Sequence, residues 1–312
     1  LRWIFVLGAM SQLRSGGGSL AMIRAAVARG DEVWVAPLDE LSVGRRREIG
    51  VRAARVEKPE ARVVRRARPE LITLDADDRV ILRVNPARAK NVDVGLGLLA
   101  AASPALSTVN DAGALLMRPG KSWLFEVPEA LRPPTILSRS ALRIRAFVHD
   151  VGRAVIKPLV GSGGRDVFIL DPKQPENLRA LVDAAVRRGP VVAQAFIPEV
   201  REGDLRVWLV DGRVLTVDGL ACAFRRVPGD GELRCNLGLG ATPRPVDAAA
   251  VPDLGPLGAQ LVALGVRMAA VDVAGGRVLE VNVHSPGGLV EAEKLLGVDF
   301  SAGVVGALAD AP

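Results

Sequence analysis

Cysteine and histidine are scarce in this chain of 312 residues, with two of each. Cys222 and Cys235 lack the paired spacing of zinc ligands, and His149 and His284 have no third ligand nearby in sequence. A zinc centre and a histidine-dependent triad are therefore set aside. With no disulfide framework, the expected compartment is the cytoplasm. Long apolar runs are missing as well. Hydrophobic residues make up 49% of the chain, yet no run approaches the roughly 18 residues of a membrane span. The opening "LRWIFVLGAM" reads as a strand rather than a cleavable leader, and no membrane partner is expected.

Lysine is the third shortage. Of 41 basic residues only six are lysine, leaving 35 arginines. The net charge of +6 raises the question of nucleic acid. The arginines, however, are dispersed among Ala, Gly and Val, and the densest cluster, "RRREIG" with "VVRRARPE", has no interleaved aromatics on which bases could stack. No nucleic-acid partner is expected. Where arginine has replaced lysine nearly everywhere, the remaining lysines mark positions that need a lysine.

The length allows two domains. "RWIFVLG", "GSLAMIRAAVARG" and "EVWVAP" make a βαβ opening, and "RVILRVNP" and "ALSTVN" read as further strands around the helical "VDVGLGLLAAA". The expectation is an α/β chain whose parallel-sheet N-terminal domain spans 1–118 and whose second half, 119–312, is α+β. In that half "KSWLFEVPEAL" reads as a helix, "PPTILSRS" as a strand, and "SALRIRAFVHD" as a helix with Ser140 as N-cap. "PENLRALVDAAVRRG" is a helix and "VVAQAFI" a strand. "RVWLVDGRVLTV" is a hairpin with an Asp-Gly turn, "RMAAVDVAGGRVLEVNV" is a hairpin at Gly275-Gly276, and "VEAEKLLGV" and "FSAGVVGALA" are closing helices.

In "AVIKPLVGSGGRDVFIL", Lys157 ends an apolar run ahead of a Gly-Ser-Gly-Gly turn. In a P-loop the lysine follows the glycines and opens a helix; here it precedes them and a strand follows. Such a turn can lay backbone N–H groups on phosphate oxygens, with the lysine adding a point charge. A plain hairpin with a snorkelling lysine fits this stretch equally well. In "AVDVAGGRVLEVNVHSPGG", Glu280 and Asn282 are two apart and share a strand face. With Asp272 they would form an oxygen set suited to magnesium with a nucleotide; the alternative is a solvated sheet face. For Asp272 to join that face, the turn must contribute an odd number of residues. A three-residue turn with a left-handed glycine is the expectation.

Together these stretches resemble the ATP-grasp ligases, and most closely the bacterial glutathione synthetases. The similarity rests on "IKPLVGSGG", "AQAFIPEVREGDLRVWLVDG", "RRVPGDGELRCNL" and "DVAGGRVLEVNVHSP". The resemblance implies an ATP-grasp fold holding nucleotide between two β-layers, with a smaller ATP-binding subdomain (119–195) and a larger catalytic one (196–312). It implies ATP with Mg2+ (or Mn2+) as cofactors, amino-acid or dipeptide substrates, and a dimer or tetramer. By position, Lys121 and Lys157 resemble nucleotide lysines, with Ser162, Gly163 and Gly164 in the phosphate turn. The backbone of Gln194 and Ile197 would receive adenine, Phe196 would wall it, and Asp204 would reach the ribose. Arg206 would act at the reacting phosphate, Arg226 and Asn282 would join it as catalytic residues, and Asp272, Glu280 and Asn282 would hold the ion. "RRVPGDGELRCNLGLGA" would be a glycine-rich lid whose Arg226, Arg234 and Asn236 reach the substrate, joined by Arg83, Asn85, Ser285 and Gly287.

The activity so implied is amide-bond formation through an acyl phosphate, with γ-glutamylcysteine and glycine as the first substrate pair. Another carboxylate–amine pair, including glutamate addition, is the alternative, and a non-catalytic nucleotide-binding protein the more distant one. The departures fall in the substrate half. Val160 stands where the family has an acid and Cys235 where it has glycine. "SPGG" replaces "SPT", and Arg83-Val84-Asn85-Pro86-Ala87 replaces Arg-x-Asp-Pro-Pro.

Overall fold

The computed structural model describes residues 1–10, 13, 17–59, 64–102 and 106–310. "RWIFVL" is apolar on both faces, as a strand covered on both sides must be. It forms Arg2–Leu7, the centre of a parallel array with Glu32–Pro37 on one side and Arg79–Arg83 on the other, followed by Thr108–Val109. Trp3, Phe5 and Leu7 pack beneath Leu20, Met22 and Ile23 of the helix Gly18–Ala28. Ile4 and Val6 pack on the opposite face with Leu96 and Leu99 of the helix Val92–Ala102. Ala105, the first residue of the expected strand "ALSTVN", lies outside the described residues.

The sheet is wider than the sequence suggests. Leu41–Val43, Ile49–Pro59, Val64–Arg66 and Glu70–Thr73 extend it with antiparallel strands, giving eight in all among the described residues. The expected helix "KSWLFEVPEAL" is instead two 3₁₀ turns, Gly120–Glu126 and Glu129–Leu131, because Pro128 has no N–H to continue a helix.

Beyond it a four-stranded antiparallel sheet runs in the order Phe168–Leu170, Ala154–Pro158, Val191–Ala195, Thr135–Ser138. Strand alternation sends Ala154 and Ile156 under two helices, Ala141–Val151 and Pro175–Arg187, against Ile144, Val148, Leu178 and Val182. Val155 and Lys157 therefore face the other way. Ser140 caps its helix, its hydroxyl accepting from the Arg143 N–H.

The third sheet orders Thr242–Arg244, Ala223–Val227, Asp204–Val210, Met268–Ala274 and Arg277–Asn282, all antiparallel, with Arg213–Val214 closing the Asp211-Gly212 hairpin. Met268–Ala274 is buried at every residue. Its odd-numbered side chains meet Leu254, Leu257 and Leu261, while Met268 and Ala270 meet Phe300, Val304 and Leu308 of the closing helix Phe300–Asp310. Asp272 is the single charge on that strand. No helix among the described residues is long and apolar enough to cross a membrane.

Candidate active site

The second and third sheets face each other across a cleft of about 750 Å³. Lys157 projects into it from the smaller sheet. Its ammonium donates to Gln194 Oε1 at 3.0 Å and to the carbonyl of Leu279, on the larger sheet, at 3.2 Å. Burial pulls its pKa below the ordinary lysine value; Glu280 opposes that shift and Lys121 adds to it. Lys121 is only 7% exposed and lies 3.6 Å from Glu280 Oε1, with its ammonium donating to the Gly161 carbonyl at 3.2 Å. It reaches this point because Gly120 has a positive φ of 55° and lets the backbone close on Leu159; a Cβ there would meet the Leu159 carbonyl at 2.1 Å. Two of the six lysines thus converge on one cleft.

The turn Gly161-Ser162-Gly163-Gly164 forms the rim, with Gly163 and Gly164 in the left-handed region at φ 76° and 70°. The Ser162 hydroxyl is buried and unpartnered. Arg234 donates to the Gly164 carbonyl at 3.1 Å, and Asn236 stands beside Gly163, so the glycine-rich stretch 228–241 lies against this turn. Arg234 is also paired with Glu232, whose carboxyl it pulls down to about 2.

On the larger sheet the charges are interlocked. Arg206 and Asp272 are cross-strand partners, and Arg206 donates to both oxygens of Asp272 at 2.5 and 2.9 Å. Arg226, opposite Asp204, grips that carboxylate at 2.8 and 2.5 Å and reaches Asp272 Oδ2 at 2.9 Å. Burial pushes the Asp204 carboxyl up to about 6, with Asp272 adding to the rise. Burial also opposes charge on Asp272, but Arg206 and Arg226 outweigh it and hold that carboxyl below its usual range. Arg226 was expected as a lid arm. It lies instead on the strand Ala223–Val227, 8% exposed, because alternation aims it at the two aspartates.

The hairpin corrects a second expectation. Its turn is a two-residue one, Ala274 pairing with Arg277, with Gly275 and Gly276 both left-handed at φ 54° and 71°. Such a turn alone would put Asp272 opposite Leu279. The register slips within the strands instead. Val273 pairs with Val278 but Asp272 pairs with Glu280, so Leu279 is an extra, bulged residue. The bulge restores the common face, and Asp272, Glu280 and Asn282 all line the cleft. Asn282 Nδ2 lies 3.5 Å from Asp272 Oδ2. The donors are two carboxylates and an amide. Asp272 already receives two donors from Arg206 and one each from Arg226 and Asn282, which leaves one lone pair on Oδ1; with the part-exposed Glu280 it suits an oxygen-seeking divalent ion.

Asn85, Phe196, Ile197 and Ser285 also line the cleft. Phe196 carries the Arg153 guanidinium 4.7 Å above its ring. Gln194, expected to act through its backbone, has its side-chain oxygen engaged by Lys157. Two expected substrate residues are not on the lining. Arg83 is buried behind it, and Gly287 turns its carbonyl inward to Arg206 Nη1 and Trp208 Nε1, at 3.0 and 3.1 Å. Gly288 beside it has φ 95°, and a Cβ there would sit tightly at 3.1 Å from Arg206 and 3.2 Å from Phe224. The sequence reading missed His284. Two residues beyond the end of the strand at Asn282, it also lines the cleft, and burial pushes its imidazole down to about 4.

If Lys157 faces phosphate, Lys157→Ala weakens ADP binding by about tenfold or more and leaves the nucleotide-free melting temperature nearly unchanged. Calorimetric titration with ADP decides; unchanged affinity would return Lys157 to a structural role.

Residues 1–116 match the family profile of the prokaryotic glutathione synthetase N-terminal domain, and residues 121–297 match that of its ATP-grasp domain. Glutathione synthetase of Rhodopseudomonas palustris is 33% identical over 298 residues, covering 92% of this chain and 91% of that protein. The Bradyrhizobium diazoefficiens enzyme is 34% identical over 245 residues, 76% of this chain and 74% of that one. Among solved structures, D-cycloserine synthetase DcsG superposes with TM-score 0.66 at 16% identity, covering 99% of both chains. The ATP-grasp ligase PsnB with its minimal precursor gives 0.64 at 19%, covering 98% of this chain and 97% of that one. These two show the fold, and the sequence matches show the family: the chain belongs to the prokaryotic glutathione synthetases, ATP-dependent C–N ligases of the ATP-grasp fold.

Proposed function

We propose that the cleft binds ATP with Mg2+, Mn2+ serving as a substitute, and joins γ-glutamylcysteine to glycine. One observation carries the reading: two lysines beside a glycine turn, with carboxylates from a second sheet, share one cleft between two β-layers. Lys121, Lys157 and the backbone of 161–164 would hold the phosphates, and the unpartnered Ser162 hydroxyl would point among them. Asp272, Glu280 and Asn282 would hold the ion, which supplies charge neutralisation between phosphate oxygens. A substrate carboxylate oxygen attacks the γ-phosphorus, the bond to ADP breaks, and an acyl phosphate results. The amine then attacks the acyl carbon, phosphate leaves, and the amine loses a proton as the amide forms. No side-chain nucleophile is needed. The residues supply position and fixed charge, with Arg206 at the reacting end and Arg234 and Asn236 closing the rim against water.

A second pair of substrates stays in view because two departures from the family pattern, Val160 and Cys235, both line the cleft. Phosphate release from ATP with magnesium, screened over amino acids and dipeptides, tests the reading. Release with γ-glutamylcysteine plus glycine above all other pairs is the expected result. Release only with another pair would replace the substrates, and no release with any would remove the ligase reading of these residues.

A further inference from the structure

Asn110 lies outside the cleft lining and is buried completely, at 0% exposure. Its side-chain amide uses every hydrogen-bonding position it has. Nδ2 donates to the carbonyls of Met268 and Val283, both at 2.7 Å. Oδ1 accepts from the N–H groups of Arg267 and Met268, at 2.9 and 2.8 Å. Two carbonyls on one side and two N–H groups on the other fix which end of the amide points where.

The two carbonyls belong to the two stretches that carry the proposed ion ligands. Met268 is the first residue of Met268–Ala274, which bears Asp272. Val283 follows the last residue of Arg277–Asn282, which bears Glu280 and Asn282. Ladder pairing between these strands runs as far as Ala270 opposite Asn282 and stops. One further step of the same register would set Met268 opposite His284. Asn110 stands in that gap and bonds both strands at once, in place of the ladder that has ended. Asn282 is thus the terminal residue of an edge strand, and such ends open at little cost unless they are tied. The bond from Asn110 is the tie. It fixes the carbonyl of Val283, whose side chain is 1% exposed, while Asn282 and His284 on either side line the cleft.

Asn110 is itself anchored from the first sheet. It follows Thr108–Val109, the strand paired in parallel with Arg79–Arg83. The Thr108 hydroxyl donates to the Asn110 carbonyl at 2.9 Å and accepts from the Ala112 N–H at 2.9 Å. The Asp111 N–H donates to the Gly265 carbonyl at 2.9 Å, and the Asp111 carboxylate caps Ala112–Met117 through the Ala114 N–H. None of the three proposed ion ligands comes from that sheet, and Asn110 joins it to them.

We propose that Asn110 is a positioning residue for the ion site. Its amide fixes where the strand bearing Asn282 leaves the sheet, so the Asn282 side chain is already placed when an ion binds. The inference rests on the assignment of Asp272, Glu280 and Asn282 to the ion, and adds a residue that touches neither ion nor nucleotide. Without the Asn110 donors the strand end is released. Ion binding must then order Asn282 as well, and that ordering is subtracted from the affinity.

Asn110→Asp keeps the shape and the Oδ1 acceptor but sets a carboxylate oxygen against two carbonyls. Mn2+ titrated into the protein with ADP, the free ion read by electron paramagnetic resonance, gives metal affinity without turnover. The Kd of Mn2+ should rise by about tenfold or more, the scale of losing a partner that orients a ligand, while ADP in EDTA binds as to the wild type. A lower melting temperature with unchanged Mn2+ affinity, or an equal loss of ADP affinity, would make Asn110 a structural residue and overturn the proposal. Thr108→Val is the gentler variant and decides the matter if Asn110→Asp does not fold. It removes the hydroxyl that holds the Asn110 carbonyl and leaves the amide in place. Its Mn2+ Kd should rise by about threefold or more; an unchanged value overturns the proposal. Glu280→Gln in the same titration separates this inference from the ion reading itself. Weaker Mn2+ binding in Glu280→Gln but not in Asn110→Asp refutes the positioning role alone. Wild-type binding in both removes the ion set, and the inference with it.

Discussion

Glu280→Gln folds as the wild type does and turns over at least about 100-fold more slowly, the scale of losing one fixed electrostatic contact at the reacting centre. The fold survives because Glu280 is part-exposed and its nearest cation, Lys121, stands 3.6 Å away, so little structural charge pairing is lost. Activity falls because the amide keeps the shape and one oxygen but removes the negative charge that an ion requires. The measurement is turnover at saturating magnesium, with melting temperature as the control. Turnover near the wild-type value would remove Glu280 from the ion-binding set. A fall cured by tenfold more metal would assign it to ion affinity alone.

Arg226→Leu acts on stability. It leaves Asp204 and Asp272 buried without their shared guanidinium, and breaking a buried pair from one side costs about 3–5 kcal/mol. The loss should depend on pH in a stated direction. Asp204 already titrates near 6 in the folded protein, because burial and then Asp272 raise it above its ordinary 3.8. The folded state therefore binds this proton more tightly than the unfolded chain. Its contribution is fully present below about pH 4 and is lost as pH rises through about 6. Removing Arg226 strengthens that preference for the neutral acid. Urea denaturation should show the largest deficit near pH 8 and a smaller one near pH 5. A deficit of equal size at both would assign the role of Arg226 to packing rather than charge.

Much of this was legible from period-two alternation. Lys157 had to point away from Ile156, and Glu280 had to share a face with Asn282, whatever the surrounding fold. The parallel core of the first sheet was legible for a related reason: "RWIFVL" has no polar side to offer solvent. The antiparallel strands between residues 41 and 73 were not, because arginines interrupt their apolar alternation and mimic loop. Arg226 was misplaced because glycines begin only two residues after its neighbour Val227, so strand and lid run together in sequence. The turn at Gly275-Gly276 misled for a deeper reason. The inference that three oxygens share a face held, while the device assigned to it did not. A bulge at Leu279 leaves no composition signal, since leucine in that place looks like any other strand residue. Arg83 came through a family resemblance that placed it near the substrate but could not show its burial. Its surroundings exist only once Ser19 and Pro286 are brought around it.

Leu279 makes the hairpin a parity device. Counted from Asp272, one residue beyond an even register separates the two carboxylates, and every side chain from Glu280 to Asn282 depends on that single odd unit. Loss or gain of one residue anywhere between 273 and 279 would exchange the faces of the strand downstream, sending Val281 and Val283 into the cleft and Glu280 and Asn282 into the core. Two compensating changes would cancel, for instance deletion of Leu279 together with one residue added to the turn. That combination would still lack one thing. Leu279 lends its carbonyl to Lys157 across the cleft, so the odd residue that orders the carboxylates is also a tether between the two sheets. Length variation in this hairpin is therefore constrained twice, by parity along the strand and by reach across the gap.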